Sequence, residues 1–540
     1  MPKLHRKWWT LIAVCTAIFM LLLDITIVNV ALPSIQRSLH ATFSDLQWVI
    51  DAYALTLAAL MLTAGVLGDM FGRREMFAIG LGIFSVSSFV CGVSTGSTML
   101  NVARAAQGVG GAIMFATSLA LIAQAFHGRD RGTAFGIYGA VIGGAIAIGP
   151  LLGGVITSGI GWRWIFFVNV PIGILAIFIT LTRMDRSKIV TSRRVDYVGF
   201  VSFSASLFML VLALVRGDTD GWSSSLVVGL LTGSAVLFGV FVVTELRRRD
   251  AMLDLSLFRL PAVTGVSITA LTLSASVFSL FLYLTLYIQD DLGYGPLAAG
   301  LRFLPVSLLA FAVSPVAGKL TVRIQARYLL GAGLVMVGVG CVLMSFTTPS
   351  SGWLAILPGL AVAGIGIGVV NPVLASSSVA VVEPDRAGMA SGANNTFRQV
   401  GIATGIAGLG TIFAGQMRQR VTASLLSSPA GRAVAELHGQ HLATALASGQ
   451  VRTAIRRWPP AQAHALLQAY RIAFSATFDH LVLIAAAIAF AGAVLSYVLV
   501  RQRDFVPARG PGAGSPPPGD RRDGHPATAH RPGLPTGATP

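Results

Sequence analysis

From Trp8 onward the chain alternates long apolar runs with short polar connections. A helix needs about 20 mostly apolar residues to cross the hydrocarbon core of a bilayer. By that rule the pattern predicts fourteen membrane helices, from roughly 9–33 to roughly 474–500. The connections between them sort by charge. Even-numbered ones read GRR, HGRDR, RMDRSKIVTSRR, LRRRD, KLTVRIQAR and EPDRAG, whereas the short odd ones hold almost no Lys or Arg beyond Arg37 and Arg163. Lys and Arg accumulate on the cytoplasmic side, so the even connections and both termini are expected there. The Arg-rich segment 415–473 falls outside in this count. Long connections translocate largely regardless of charge, and this one is expected as an outer loop with a helix lying on the membrane surface.

Composition narrows the class. Of 540 residues, 54% are hydrophobic and 11% charged, against about 25% charged in a soluble domain. The chain is expected to be an all-α polytopic membrane protein. Its net charge of +17 lies in clusters between apolar runs, which orients a protein in a membrane and does not make a nucleic-acid surface. Cys15, Cys91 and Cys341 all lie in apolar segments, and their odd number and spacing predict no disulfides. The opening MPKLHRKWW leads into a run too long for a signal-peptide core, so it is read as the first span. The Pro/Gly-rich tail 501–540 cannot bury a core and is expected to be disordered.

An internal repeat organises the spans. GRDRGTAFGIYG (128–139) stands beside EPDRAGMASGAN (383–394), with Asp130-Arg131 matching Asp385-Arg386 at an offset of 255, as Gly111 matches Gly366. GVLGDMFGRR (65–74) meets GKLTVRIQAR (318–327) at an offset of 253. These offsets pair spans one to six with nine to fourteen and leave seven and eight as an insert. The expected divisions are a six-helix bundle over 1–183, a two-helix insert over 184–261, a second six-helix bundle over 262–500 that includes the outer loop, and the cytoplasmic tail. Two such halves around a midplane site are a transporter plan.

Within this frame a few polar residues stand out. Asp24, in LLLDITIVNVALP, lies about 13 Å below the outer end of the first span by helical rise. Burial among apolar groups favours a protonated carboxyl, so Asp24 is a candidate for proton exchange; the alternatives are a fixed ion pair or a solvated residue. Asp51 and Arg104 enter from the outside at similar depth, so two acids and one arginine are expected to share a layer of the first half. Asp51 is nearer the rim, where a solvated or helix-starting role competes. On the fourth span Arg104, Gln107, Gly108, Gly111 and Phe115 form one stripe. TAFGIYGAVIGGAIAIGPLLGGVI carries Gly139 and Gly143, then Gly149 and Gly153, at the four-residue spacing that lets helices pack backbone to backbone, with Pro150 to bend the helix and Gly154 adjacent. Asp69 sits in a rim otherwise basic, with Arg73 or Arg131 or a helix N-terminus as its expected partner. In the second half Asn394, Asn395 and Arg398 lie well inside span thirteen, Arg398 about 15 Å from the cytoplasmic end. Substrate contact and structural hydrogen bonding are both open for Arg398.

LDITIVNVALP, GVLGDMFGRR, RAAQGVGGA, GAVIGGAIAIGPLLGG, WRWIFFVNVPIG and QDDLGYGPLAAGLRFLP resemble the motifs of the major facilitator superfamily, in particular its fourteen-span drug:proton antiporter branch. The resemblance implies two six-helix bundles flanking a two-helix insert, alternating access, and efflux driven by inward proton flow. It casts Asp24 as the proton-linked acid with Arg104 as coupling arginine; Asp51, a further proton-coupling candidate from its depth, stands where the family pattern demands no acid. It makes Gly65, Asp69, Arg73, Arg74, Asp130 and Arg131 gating elements, and the helix-five glycines with Pro150 the antiporter element. Val322 stands where the second-half copy would carry the counterpart of Asp69, so this gate is one-sided. Asn29, Tyr53, Gln107, Phe115, Asn394, Asn395 and Arg398 are the candidate lining of the substrate cavity. Acids in an otherwise apolar cavity suit cationic drugs. The expected protein is a monomer in the plasma membrane that takes a small lipophilic substrate and protons, binds no nucleic acid, and uses the proton gradient with no cofactor. Competing readings are transport of one physiological metabolite and a transporter-like sensor without flux. No metal-ligand cluster, nucleophile triad or GxxxxGK[ST] phosphate loop is present in the sequence, so no enzyme activity and no direct ATP drive is expected.

Overall fold

Each long apolar run becomes a helix, because a helix alone satisfies its own backbone polar groups in hydrocarbon. The computed structural model describes residues 5–41, 43–186, 196–248, 252–427, 432 and 459–505. Among them the first half contains α1 (Arg6–Leu39), α2 (Phe43–Phe71), α3 (Arg73–Gly92), α4 (Ser97–Ala125), α5 (Gly128–Gly159) and α6 (Trp164–Arg183). A hairpin follows, α7 (Tyr197–Asp220) and α8 (Ser225–Arg247). The second half contains α9 (Pro261–Gln289), α10 (Pro296–Leu320), α11 (Ala326–Met344), α12 (Leu357–Ala380), α13 (Ala387–Leu426) and α14 (Pro460–Leu499). There is no strand among the described residues. Thirteen of these helices are long and apolar enough to cross a membrane; α5, an unbroken 32-residue helix, is outside that count.

The connections are short because their residues turn sharply. Gly72, at φ +101°, reverses the chain between α2 and α3 in one residue. The α7–α8 hairpin is clamped by two reciprocal bonds: the Ser206 and Ser234 hydroxyls each donate to the other's carbonyl at 2.9 Å. Small hydroxyl residues of this kind hold helices together where apolar contact gives no preference over lipid. The hairpin lies against α2, where Phe203, Leu207 and Val211 of α7 meet Leu55, Ala58, Leu62 and Val66.

Segment 415–473 departs from the expected outer loop. Its first residues continue α13 and its last belong to α14, each helix 40 residues long. That is about 60 Å at 1.5 Å per residue, twice the hydrocarbon thickness of about 30 Å. The continuation is amphipathic: Met417, Val421 and Leu425 recur every fourth residue, fully buried, in one core with Leu466 and Tyr470. An apolar-length rule sees only the part inside the membrane and misses such an extension. Residues 428–431 and 433–458, where a surface helix was expected, lie outside the described residues. So does the tail from Val506, but Gln502–Asp504 form a 3-10 turn, and Asp504 Oδ2 accepts the Ala262 amide at 3.2 Å at the start of α9.

The two halves meet through glycines near the end of the bundle that carries His5, Arg73 and Arg131, here called the basic end. Gly65 of α2 lies so close to α13 that a Cβ there would overlap the Gly388 carbonyl, and one on Gly388 would overlap that of Gly65. Gly132 of α5 and Gly318 of α10 repeat this arrangement, each facing the other's carbonyl. The contacts are pseudo-symmetric, as the 253-residue offset between Gly65 and Gly318 requires. Gly65→Val should therefore separate the halves at this end. With Cys15, Cys91 and Cys341 replaced by serine, a cysteine placed at Ser376 should be labelled by a maleimide in detergent several-fold faster in Gly65→Val than in its parent. Equal rates would show that the close approach does not hold the halves together.

Candidate functional site

Asp24 is sealed inside the first half, 2% exposed. Four helices converge on it. From α4, Arg104 Nη1 donates to Asp24 Oδ2 at 2.5 Å and Gln107 Nε2 to Oδ1 at 3.0 Å. From α6, Asn169 Nδ2 donates to Oδ1 at 3.2 Å and to Ser88 Oγ of α3 at 3.0 Å. Ser88 in turn donates to the Phe166 carbonyl at 3.0 Å. Arg104 is held on its other side, with Nε donating to the Val49 carbonyl of α2 at 3.0 Å and Nη1 to Gln107 Oε1 at 2.8 Å. Its guanidinium lies 4.2 Å from the Tyr53 ring centre. That approach exists because Gly108 carries no side chain, which lets the Thr56 hydroxyl of α2 reach the Ala105 carbonyl of α4 at 2.8 Å. The result is a buried carboxylate that accepts three hydrogen bonds and a buried guanidinium that donates three.

A second cluster sits where α2 ends and α13 begins. Asp69, also buried, accepts the amides of Gly388 at 2.9 Å and Met389 at 2.8 Å, and the Arg73 Nε at 2.8 Å. A carboxylate of the first half thereby caps the N-terminus of a helix of the second, where free amides and the helix dipole favour an anion. Arg73 reaches across as well, to the Pro384 carbonyl, and Arg131 donates to the Ser376 carbonyl of α12 at 3.3 Å. Both partners expected for Asp69 other than Arg131 are thus realised at once. Beside this cluster Arg386 donates to Asp254 at 2.9 Å, at the head of the short Leu255–Arg259 turn. The Ser256 hydroxyl, and after it Arg386, hold the Asp254 carboxyl below the usual carboxylate range. A depressed carboxyl stabilises the fold at neutral pH, and that contribution is lost as pH falls through the lowered value.

Other expected residues fall elsewhere. Asp51 is not in the Asp24 layer. At about 100° per residue it lies about 200° around α2 from Tyr53, and its electrostatic partner is Arg216 of α7. Tyr53 and Gln107, expected in a substrate cavity, belong to the Asp24 cluster. Phe115 and Asn395 do bridge the halves, Asn395 Nδ2 donating to the Phe115 carbonyl at 3.4 Å. Asn394 turns instead toward an apolar pocket it shares with Phe258, Val266 and Val382. Arg74 donates to the Thr180 and Leu181 carbonyls and Asp130 pairs with Lys7, all within the first half, so neither joins the halves. Gly139 of α5 faces Pro372 and Ser314 of the second half and Gly143 makes ordinary contact with Phe311, whereas Gly149 and Gly153 press on Thr26 and Ile27 of α1 and Gly154 faces open space. The side chains of Asn29 and Pro150 lie outside the described residues. Ser88 and Asn169 were missed; the signal for Asn169 was its place in the apolar WRWIFFVNVPIG, where an amide needs a partner.

A multi-pass helical bundle of two related halves, with a sealed ion pair in one and a capped helix between them, defines a membrane transporter fold. The Major Facilitator Superfamily model matches residues 14–406, and the chain belongs to that family. It is 37% identical over 406 residues to the multidrug resistance protein Stp of Mycobacterium tuberculosis, covering 75% of each chain. It is 36% identical over 467 residues to the puromycin resistance protein pur8 of Streptomyces alboniger, covering 84% of this chain and 91% of that one. Among solved structures, the proton:xylose symporter XylE matches with a TM-score of 0.59 at 10% identity, covering 92% of this chain and 96% of that chain, a likeness of fold alone.

The Asp24 cluster makes a ranked prediction. Arg104→Ala leaves a buried carboxylate without its cation and should cost about 3–5 kcal/mol. Asn169→Ala removes one neutral donor from a carboxylate that keeps two others, and should cost about 1–3 kcal/mol. Thermal unfolding of the purified protein in detergent checks the order; an Asn169 variant as damaged as the Arg104 variant would contradict it.

Proposed function

We propose that this protein exports lipophilic drugs or antibiotics in exchange for protons by alternating access. The observation that carries the reading is the sealed Asp24–Arg104 pair. An ionisable group inside a span is costly and marks a proton or substrate path by default. A proton arriving on Asp24 removes the charge that holds Arg104, and Arg104 is bonded to α2 through the Val49 carbonyl. Helix α2 also carries Asp69, which caps α13. Protonation in one half is thereby linked by a single helix to the contact between the halves. The relatives support the cargo class, since multidrug and puromycin resistance proteins are the chains this one resembles. In this reading α5 is a further span, giving fourteen as six, two and six, and the basic end faces the cytoplasm by the positive-inside rule.

Everted vesicles test it. Acid-loaded vesicles carrying the protein should lose part of their pH gradient when a transported member of a panel of toxic lipophilic compounds is added. Asp24→Asn keeps an oxygen for Arg104 and should yield folded protein without this response. Uphill export by the Asn variant would remove Asp24 from the mechanism, and binding without any loss of gradient would make the protein a sensor.

A further inference from the structure

Among the described residues, several charges inside the bundle have an opposite partner. Asp24 and Arg104 neutralise each other, Asp69 has Arg73, and Asp51 faces Arg216 on α7. Arg398 is left over. It is the twelfth residue of α13, half-buried, and among the described residues it has neither a hydrogen bond nor an ion pair.

Its surroundings come from both halves. The guanidinium carbon lies 5.6 Å from the centre of the Phe278 ring on α9. The Tyr138 hydroxyl of α5, which shares a 3.3 Å hydrogen bond with Ser118 of α4, is its electrostatic neighbour. One helical turn toward the basic end, Asn395 crosses to Phe115. Phe278 closes a π-helical turn, Ser274–Phe278, in an otherwise α-helical span; such widened turns recur at functional sites. The Ser274 hydroxyl in that turn has no partner either. A cation among aromatic rings at the junction of two halves is therefore left without the anion it calls for, in a region where an unneutralised charge is costly.

We propose that Arg398 recognises an acidic group on the cargo, so that the cargo class is flat, lipophilic organic anions, such as carboxylates and ionised phenols, and not lipophilic cations. The guanidinium fork takes a carboxylate through two parallel bonds, while the Phe278 ring beside it offers an aromatic face that suits a flat apolar body. Asp24 and Asp51 had suggested a cationic cargo; one is spent on Arg104 and the other is opposed by Arg216 of α7. The proposal deepens the export reading by naming its cargo, yet it is tested without a gradient.

Binding to the purified full chain in detergent is measured by fluorescence polarisation with two probes, fluorescein (a carboxylate and phenolate) and ethidium (a permanent cation). Fluorescein is expected to bind more tightly. Arg398→Gln should weaken fluorescein at least about tenfold and leave ethidium unchanged or tighter. Arg398→Lys, a point charge without the fork, should fall between. Gel filtration and thermal midpoints confirm that both variants are folded. Asp24→Asn should keep the fluorescein preference, so failed proton coupling and failed anion recognition read out separately. Preference for ethidium, equal weakening of both dyes by Arg398→Gln, or no fluorescein binding by folded protein would each overturn the proposal.

Discussion

The arrangement of the first half depends on one ion pair that has no alternative partner. An isolated Asp or Arg at the centre of a span costs about 2.5–3.5 kcal/mol even on lenient insertion scales. Asp24 and Arg104 escape that cost only while α1 and α4 hold them 2.5 Å apart. Their remaining bonding capacity then recruits α2 through Val49 and α6 through Asn169, and α3 joins at one remove through Ser88, which accepts from Gln107 and Asn169. Five helices are thus kept in register by polar groups, in a solvent where apolar contact gives no such register. The same bonding explains how one proton can matter: every bond to Asp24 is to its charged form, so protonation changes the whole cluster together.

The contact between halves obeys a different constraint, the absence of side chains. Gly65 with Gly388, and Gly132 with Gly318, bring backbones within a distance no Cβ tolerates. Such surfaces are smooth and carry little directional bonding of their own. The two copies differ in the polar group added to them: a carboxylate at one, and the Arg131 bond to the Ser376 carbonyl at the other. Asp69 caps α13, whereas Val322, its counterpart by the 253-residue offset, is largely exposed. One carboxylate latch on two smooth contacts is what the alternating-access cycle proposed above would have to release.

Much of this was legible before the structure. Apolar length located the helices, because the bilayer sets that length independently of tertiary contacts. Asp24, Arg104 and Asp69 announced themselves as charges where charge is expensive. What stayed hidden was azimuth. Helical rise gives the depth of Asp51 and Tyr53 equally well, but only the neighbouring helices decide that Tyr53 meets Arg104 while Asp51 meets α7. Ser88 and Asn169 were hidden for another reason: a serine or asparagine in a span reads as neutral until its partner is known. The glycines of α5 show the same limit. Spacing marked Gly149, Gly153 and Gly154 alike, yet the first two press on α1 and the third faces nothing.

The α7–α8 hairpin accounts for the acid that the Asp24 cluster leaves out. On α2, Asp51 shares a face with Leu55, Ala58 and Leu62, and that face is covered by α7 and, toward the basic end, by α13. Arg216, near the end of α7, lies over Trp48 of the same α2 face and opposes Asp51. Acid and hairpin therefore form one unit: Asp51 makes sense as part of the surface that seats α7.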